Sequence, residues 1–254
     1  MKVLTIYAHP SHKSFCQAVL DRFTSGLSDA GHTSDVIDLY AIGFDPVLRD
    51  RDGPSWIDEN VPQDILDRAN LKEEMIAGAG GPIRRFLVRR WIGDKGPRAI
   101  IKALRDERIP KDVLEQQRRV LAADALVFIA PVWFVGYPAI LKGWFERVFT
   151  LGFAFGLSDA GWHGDVRGRI PLLKHQKALI INTTIFNEET YRAGFGDAMT
   201  RLMGDWGLRY PGIRTVEHVF FYAVNGASDE VRRGYLDRAY TLGRYFDRSS
   251  VAAA

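Results

Sequence analysis

The chain has a single cysteine, Cys16, in 254 residues, so no internal disulfide can form and the composition suits a reducing compartment. No uninterrupted apolar segment approaches the roughly 20 residues that a membrane span needs. The amino-terminal run Met1-Lys2-Val3-Leu4-Thr5-Ile6 reads as a strand and not as a signal peptide, so a cytoplasmic protein is expected. Neither a Walker A pattern nor G-x-G-x-x-G occupies the first loop, which argues against a nucleoside triphosphate site and a Rossmann dinucleotide site. Charge of one sign does not dominate either: 34 Lys and Arg against 31 Asp and Glu leave +3, which selects no partner. No repeat is visible and no metal site is expected. An apolar content of 46% with 26% charged residues excludes disordered and fibrous classes. The length suits one α/β domain spanning 1–254.

One stretch stands out. Ala125-Leu126-Val127-Phe128-Ile129-Ala130 is an unbroken apolar run of the length and β-rich makeup of a fully buried strand. Pro131 ends it, and Pro138 opens the next helix at its first position. Between the prolines lies Val132-Trp133-Phe134-Val135-Gly136-Tyr137. Open α/β sheets hold ligands at the carboxyl ends of their central strands, and Trp133, Phe134 and Tyr137 there suit a planar aromatic ligand.

Around this stretch, residues 2–8 form a first strand and 15–27 a helix. The loop between them, Ala8-His9-Pro10-Ser11-His12-Lys13-Ser14, places hydroxyls, imidazoles and a lysine at the positive end of that helix. A phosphate would suit that end, and Ser14 serves equally as a plain N-cap. Residues 33–40 read as a shorter, more polar second strand near an edge. Residues 43–110 form an insertion interrupted by Pro46, Pro54, Pro62, Pro82, Pro97 and Pro110, with helices at 62–77 and 97–108. Between Arg84 and Arg105 eight basic residues stand against one acid, Asp94. A solvated basic face, its apolar side packed on the domain or a partner subunit, ranks above contact with an anionic membrane, nucleic acid or cofactor phosphates. A helix at 111–123 precedes the central strand and another follows at 138–149. A loop at 151–164, a fourth strand at 177–182, a helix at 189–206, a fifth strand at 215–224 and a helix at 228–246 complete the chain.

Strands alternating with helices call for a doubly wound five-stranded parallel sheet, with ligands at its carboxyl edge. Residues 9–15, 131–137, 183–191 and the loop around Asn225 all fall at that edge. One ligand can therefore meet a phosphate site at the first helix, a flat platform at Trp133, and polar groups at Thr183, Thr184 and Tyr191. A flavin nucleotide has that shape. Pro131 followed by Pro138-Ala139-Ile140-Leu141-Lys142-Gly143-Trp144-Phe145-Glu146-Arg147-Val148-Phe149 resembles the flavodoxin-like NAD(P)H:quinone oxidoreductases of the DT-diaphorase type. The resemblance extends to His9, Ser14-Phe15, Asp38-Leu39-Tyr40-Ala41, Phe44-Asp45-Pro46, Gln116, Ala122-Ala123-Asp124, and Thr183-Thr184 with Tyr191; the insertion is not covered.

That resemblance implies a flavoenzyme carrying FAD, with FMN the alternative. NADPH or NADH would be the donor and a quinone or similar flat aromatic molecule the acceptor, reduced by two-electron hydride transfer in ping-pong order. It implies that His9, Ser14, Phe15 and Ala18 surround the flavin phosphates and that Pro131, Val132, Trp133 and Phe134 lie along the ring. Thr183, Thr184 and the catalytic Tyr191 would reach the ring's polar edge, with Glu146 and Arg232 near the dinucleotide. Phe155 and Leu157 stand where the family's substrate pocket carries aromatic hydroxyls, which makes this pocket more apolar. Ile185 and Phe186 replace a Gly-Gly pair, and the histidine expected beyond the tyrosine has no counterpart in Gly194-Phe195-Gly196-Asp197. A homodimer is expected, because the aromatic loop and residues 153–155 would otherwise form a large exposed apolar patch, and residues 84–105 are expected to cross its seam. No nucleic-acid partner is expected. Azo dyes and nitroaromatics fit the same stacked geometry. A second reading is a flavodoxin-like regulatory or electron-carrier module serving a partner protein.

Overall fold

The structure is a computed structural model that describes residues 1–49, 52, 53, 58 and 60–248; Pro54 lies outside them. β1 (Lys2–Tyr7) leads into α1 (Phe15–Asp29), and β2 (Thr33–Asp38) follows. Helices α2 (Gln63–Ala69), α3 (Leu71–Gly78), α4 (Pro82–Ile92) and α5 (Pro97–Arg108) occupy the next segment, before α6 (Lys111–Leu121) and β3 (Ala125–Pro131). After α7 (Ala139–Val148), a small antiparallel pair, β4 (Phe155–Leu157) and β5 (Arg169–Pro171), flanks the short α8 (Asp159–Trp162). β6 (Lys177–Thr183) is followed by α9 (Glu188–Thr190) and α10 (Gly196–Met199), which alternate with π-helical turns at Tyr191–Phe195 and Thr200–Arg209. β7 (Thr215–Phe221) and α11 (Asp229–Arg244) complete the described chain.

The main sheet runs β2-β1-β3-β6-β7 with every neighbouring pair parallel. This is the expected doubly wound sheet, β6 and β7 being its fourth and fifth strands. All seven residues of the central β3 are buried, whereas in β2, at the edge, Ile37 is buried and the rest are exposed or half-buried. Successive side chains of β1 and β3 point to opposite faces. Leu4, Ile6, Leu126 and Phe128 therefore meet Trp144 of α7, Met199 and Leu208. On the other face Val3, Tyr7, Val127 and Ile129 meet Phe23 and Leu27 of α1 and Ala239 of α11. Each large apolar side chain so buried contributes roughly 1.5–3 kcal/mol.

The segment before β3 is tied to the sheet by a buried cation. Arg147 of α7 is fully buried and donates to Asp52 (3.1 Å), to Asp112 (2.6 Å) and to the Asp45 carbonyl (2.8 Å). Three elements differ from expectation. The helix expected at 62–77 breaks at Asn70, whose left-handed φ of 40° ends α2 and starts α3. Helix α4 was not foreseen, although Pro82 at its first turn after Gly80-Gly81 is a start signal. Its apolar residues lie on two faces and blur the helical period. The loop expected at 151–164 contains β4 and α8 instead.

Candidate active site

The crevice lies where the strand order reverses, at the carboxyl ends of β1 and β3, with the loops after β6 and β7 closing its sides. It encloses about 620 Å³. His9, Ser14 and Phe15 line one wall, Pro131 to Phe134 another, and Thr183, Thr184 and Ile185 the third. All nine of the first-named expected residues from His9 to Thr184, Ala18 excepted, meet here.

The platform is held in a strained shape. Trp133 and Gly136 exchange backbone hydrogen bonds (3.1 and 3.2 Å), closing a tight turn with Phe134 at φ 42° and Val135 at φ 60°. Left-handed backbone at two bulky residues costs on the order of 1–3 kcal/mol each and persists only where the surroundings enforce it. Here the Val132 N–H is anchored to the Thr183 carbonyl (2.9 Å), and Pro138 fixes the turn's far end at α7. The turn leaves Phe134 100% exposed and Trp133 partly so.

At the other wall, the His9 ring packs 5.7 Å from Trp133, and its Nδ1 accepts the Ser11 N–H (3.0 Å). Loss of hydration lowers the His9 pKa, opposed by a hydrogen bond to the Ser11 backbone. Ser14 caps α1 by accepting the Gln17 N–H (3.1 Å). The Phe15 and Cys16 N–H groups have no acceptor among the described residues, and the first turn of α1 carries no acid. Such a helix end favours a phosphate. A shelf of about 510 Å³ continues the crevice past Ser14 and Phe15 to Ala18, Lys13 and Arg232. Arg232 donates to the Val224 and Asn225 carbonyls (both 3.1 Å), which fixes the loop after β7 beside the shelf.

Sequence reasoning missed Cys16 and Val224, which also line the crevice. The Cys16 thiol bonds Thr183, and burial pushes its pKa up to about 12, so it is an inert donor. Its position one residue into α1, beside Phe15, was the available signal. Ile185 stands over the mouth, on a loop pinned by Thr184 Oγ1 and the Ala223 N–H, both donating to the Phe186 carbonyl (2.8 and 3.0 Å).

Other residues fall elsewhere. Tyr191 is buried among Phe195, Phe220 and Tyr222, does not line the crevice, and meets it only through a hydrogen bond with Thr184. Burial raises its pKa. Tyr137 turns inward and stacks on Phe145 at 5.3 Å, its hydroxyl buried without a partner. Glu146 pairs with Lys142 on α7, across the sheet from α1, and lines a separate apolar cavity of about 630 Å³ with Tyr137, Phe155 and Trp206. Leu157 lines a third cavity, of about 710 Å³, with Lys102 and Arg105. Neither Phe155 nor Leu157 therefore faces the crevice, and Glu146 stands apart from it.

A parallel five-stranded sheet with a flat, phosphate-suited crevice at its switch point defines a flavodoxin-like protein. Residues 1–242 match the family described by a flavodoxin-like fold. The chain is 28% identical over 235 residues to NAD(P)H dehydrogenase (quinone) 1 of Cavia porcellus, covering 91% of this chain and 72% of that one. It is likewise 28% identical over 240 residues to the human ribosyldihydronicotinamide dehydrogenase (quinone), covering 92% and 86%. The solved NAD(P)H:quinone oxidoreductase from Methanothermobacter marburgensis matches at a TM-score of 0.66 with 30% identity, over 100% of this chain and 99% of that one. An FMN-dependent NADH-azoreductase from Bacillus anthracis, solved with FMN, shares the fold at 13% identity and a TM-score of 0.59, over 98% and 100%. The chain belongs to the flavodoxin-like family, as its motif from Pro131 to Phe149 implied.

Proposed function

We propose that the protein is a flavin-dependent NAD(P)H oxidoreductase that passes two electrons as hydride, in ping-pong order, to quinones or similar flat aromatic acceptors. The observation that carries this reading is the groove itself: a crevice walled by Trp133 and His9 opens onto a shelf with unbonded helix N–H groups, Lys13 and Arg232. These residues fit a flat ring bearing phosphate. A flavin bound there supplies the hydride-carrying chemistry. The Phe15 and Cys16 N–H groups, Lys13 and Arg232 hold its phosphates. The Trp133 turn flanks the ring and excludes water, while Thr183 and Thr184 offer polar groups to its edge. Tyr191 acts through Thr184 and is a positioning residue. FAD is favoured, with FMN the alternative, because the shelf extends the crevice as far as Ala18 and Arg232. NADPH and NADH both remain donors in this reading, and azo dyes and nitroaromatics belong to the acceptor range.

The whole chain, 1–254, is read as one domain with 43–110 inserted, working in the cytoplasm. It is read as a homodimer, because Val135, Leu202 and Trp206 form an exposed apolar rim around the cavity beside α7. The test is anaerobic NAD(P)H:quinone turnover by the purified, flavin-loaded protein. Sustained turnover supports the reading. Bound flavin without turnover, rescued only by a partner protein, would replace it with the electron-carrier module.

A further inference from the structure

Helix α4 spans Pro82–Ile92 with sequence PIRRFLVRRWI. One of its faces is already used: Val88, Trp91 and Ile92 pack with Leu71, Met75, Ile76, Ile100 and Leu104 in a small core of their own. The opposite face is not. Ile83, Phe86 and Leu87, at the spacing that aligns side chains along a helix, are 76%, 62% and 56% exposed. Arg90 falls on the same stripe, with Arg84 and Arg89 on its flanks. None of Arg84, Arg85, Arg89 and Arg90 has a carboxylate partner among the described residues, and no acid occurs from Ala79 to Gly93.

We propose that α4 is a docking helix for an anionic lipid surface. Three large apolar side chains beside the unpaired guanidinium groups of Arg84, Arg89 and Arg90 match what such an interface presents, hydrocarbon beneath a layer of phosphate. The arginine stems are long enough to keep their charge at the phosphates while the stripe enters the acyl boundary. Charge decides between occupants. A second copy of this chain would have to supply carboxylates to Arg84, Arg89 and Arg90. Nucleic acid would match the charge and leave Ile83 and Leu87 without apolar contact. The orientation is fixed, because the inner face of α4 holds the helix on α3 and α5. No helix of the described residues is long and apolar enough to cross a membrane, so the contact is peripheral.

The experiment is co-sedimentation of the full-length, flavin-loaded protein with vesicles of phosphatidylcholine alone and of phosphatidylcholine mixed with phosphatidylglycerol. Binding to the mixed vesicles only, falling with added salt, is expected. Arg89→Gln with Arg90→Gln should weaken it about 30-fold, each arginine being worth about 1 kcal/mol. Phe86→Ser with Leu87→Ser should also abolish retention, and because both residues are exposed the variant should keep the parent's melting temperature and turnover of a water-soluble quinone. Equal binding to both vesicles, or none to either, overturns the proposal. So does binding indifferent to the Phe86 and Leu87 changes. If those changes lower the molecular mass in solution instead, a second copy is the occupant. If duplex DNA alone is retained, the partner is nucleic acid. Failure here leaves the reductase reading intact, since turnover is measured separately.

Discussion

The two faces of the sheet are built to different standards of closure. On one, α1 and α11 approach so tightly that an added Cβ at Gly26 would lie 2.1 Å from the Tyr240 carbonyl oxygen, and one at Gly243 would lie 2.1 Å from that of Phe23. On the other, α7 and the π-helical turns leave an apolar cavity and an exposed rim. That open face is braced by polar contacts. Thr200 bonds His218 Nδ1 (3.0 Å), His218 Nε2–H reaches Asn182 Oδ1 (2.7 Å), and the Asn182 amide donates to the Ala130 carbonyl (2.8 Å), just before the Trp133 platform. The closed face behaves as a frame that orients the start of α1 and its phosphate-suited end. The open face presents apolar surface, Leu202 and Trp206 among it, to solvent.

Acid should separate the two faces most. Loss of hydration holds His218 neutral, its pKa down at about 3 against an ordinary 6.5. The folded protein therefore binds fewer protons than the unfolded chain between those values. The stability His218 contributes is complete above pH 6.5 and drains as the pH falls toward 3, on the order of 1 kcal/mol per pH unit. Denaturant midpoints measured across that window should fall, and His218→Gln should flatten the dependence; an unchanged slope would mean that His218 carries none of it. Next in size, Gly243→Ala should destabilise by about 3 kcal/mol through overpacking on the closed face. Gly204→Ala, whose Cβ would meet Val216 at an ordinary 3.5 Å on the open face, should be neutral or slightly stabilising. Equal costs in urea titrations would remove the contrast.

Leu202→Asp on the rim should yield a monomer by light scattering without lowering flavin content, and its quinone turnover should fall. A dimer that survives this change seats elsewhere. The smallest effect belongs to Tyr191→Phe. With its hydroxyl bonded to Thr184 and not to the crevice, turnover should drop less than tenfold, the range of one lost neutral hydrogen bond. A loss of a hundredfold or more would restore Tyr191 to direct contact with the reacting atoms.

Much of this was readable in the residues. The apolar run before Pro131 forced a central buried strand, and two prolines bounding four bulky residues announced the platform. The crevice followed from strand order, because each strand's carboxyl end lies at one edge whatever the crossovers do. What could not be read depends on rotation and packing. Tyr137 differs from Trp133 only in which side of a strained turn it leaves, and Glu146 lies on α7 at a heading set by Trp144 packing beneath Phe128. Tyr191 sits at the start of a π-helical turn, a register that a 3.6-residue pattern does not foresee. In α4, apolar residues on both faces hid a helix that the structure shows plainly.

The most direct test of the groove is flavin binding by the purified protein, followed by absorption and by quenching of flavin fluorescence, in the parent and in Trp133→Ala. The account predicts a yellow protein that releases non-covalent FAD or FMN on denaturation, with affinity weakened at least tenfold when the Trp133 platform is removed. A colourless protein that binds neither added FAD nor added FMN would contradict it.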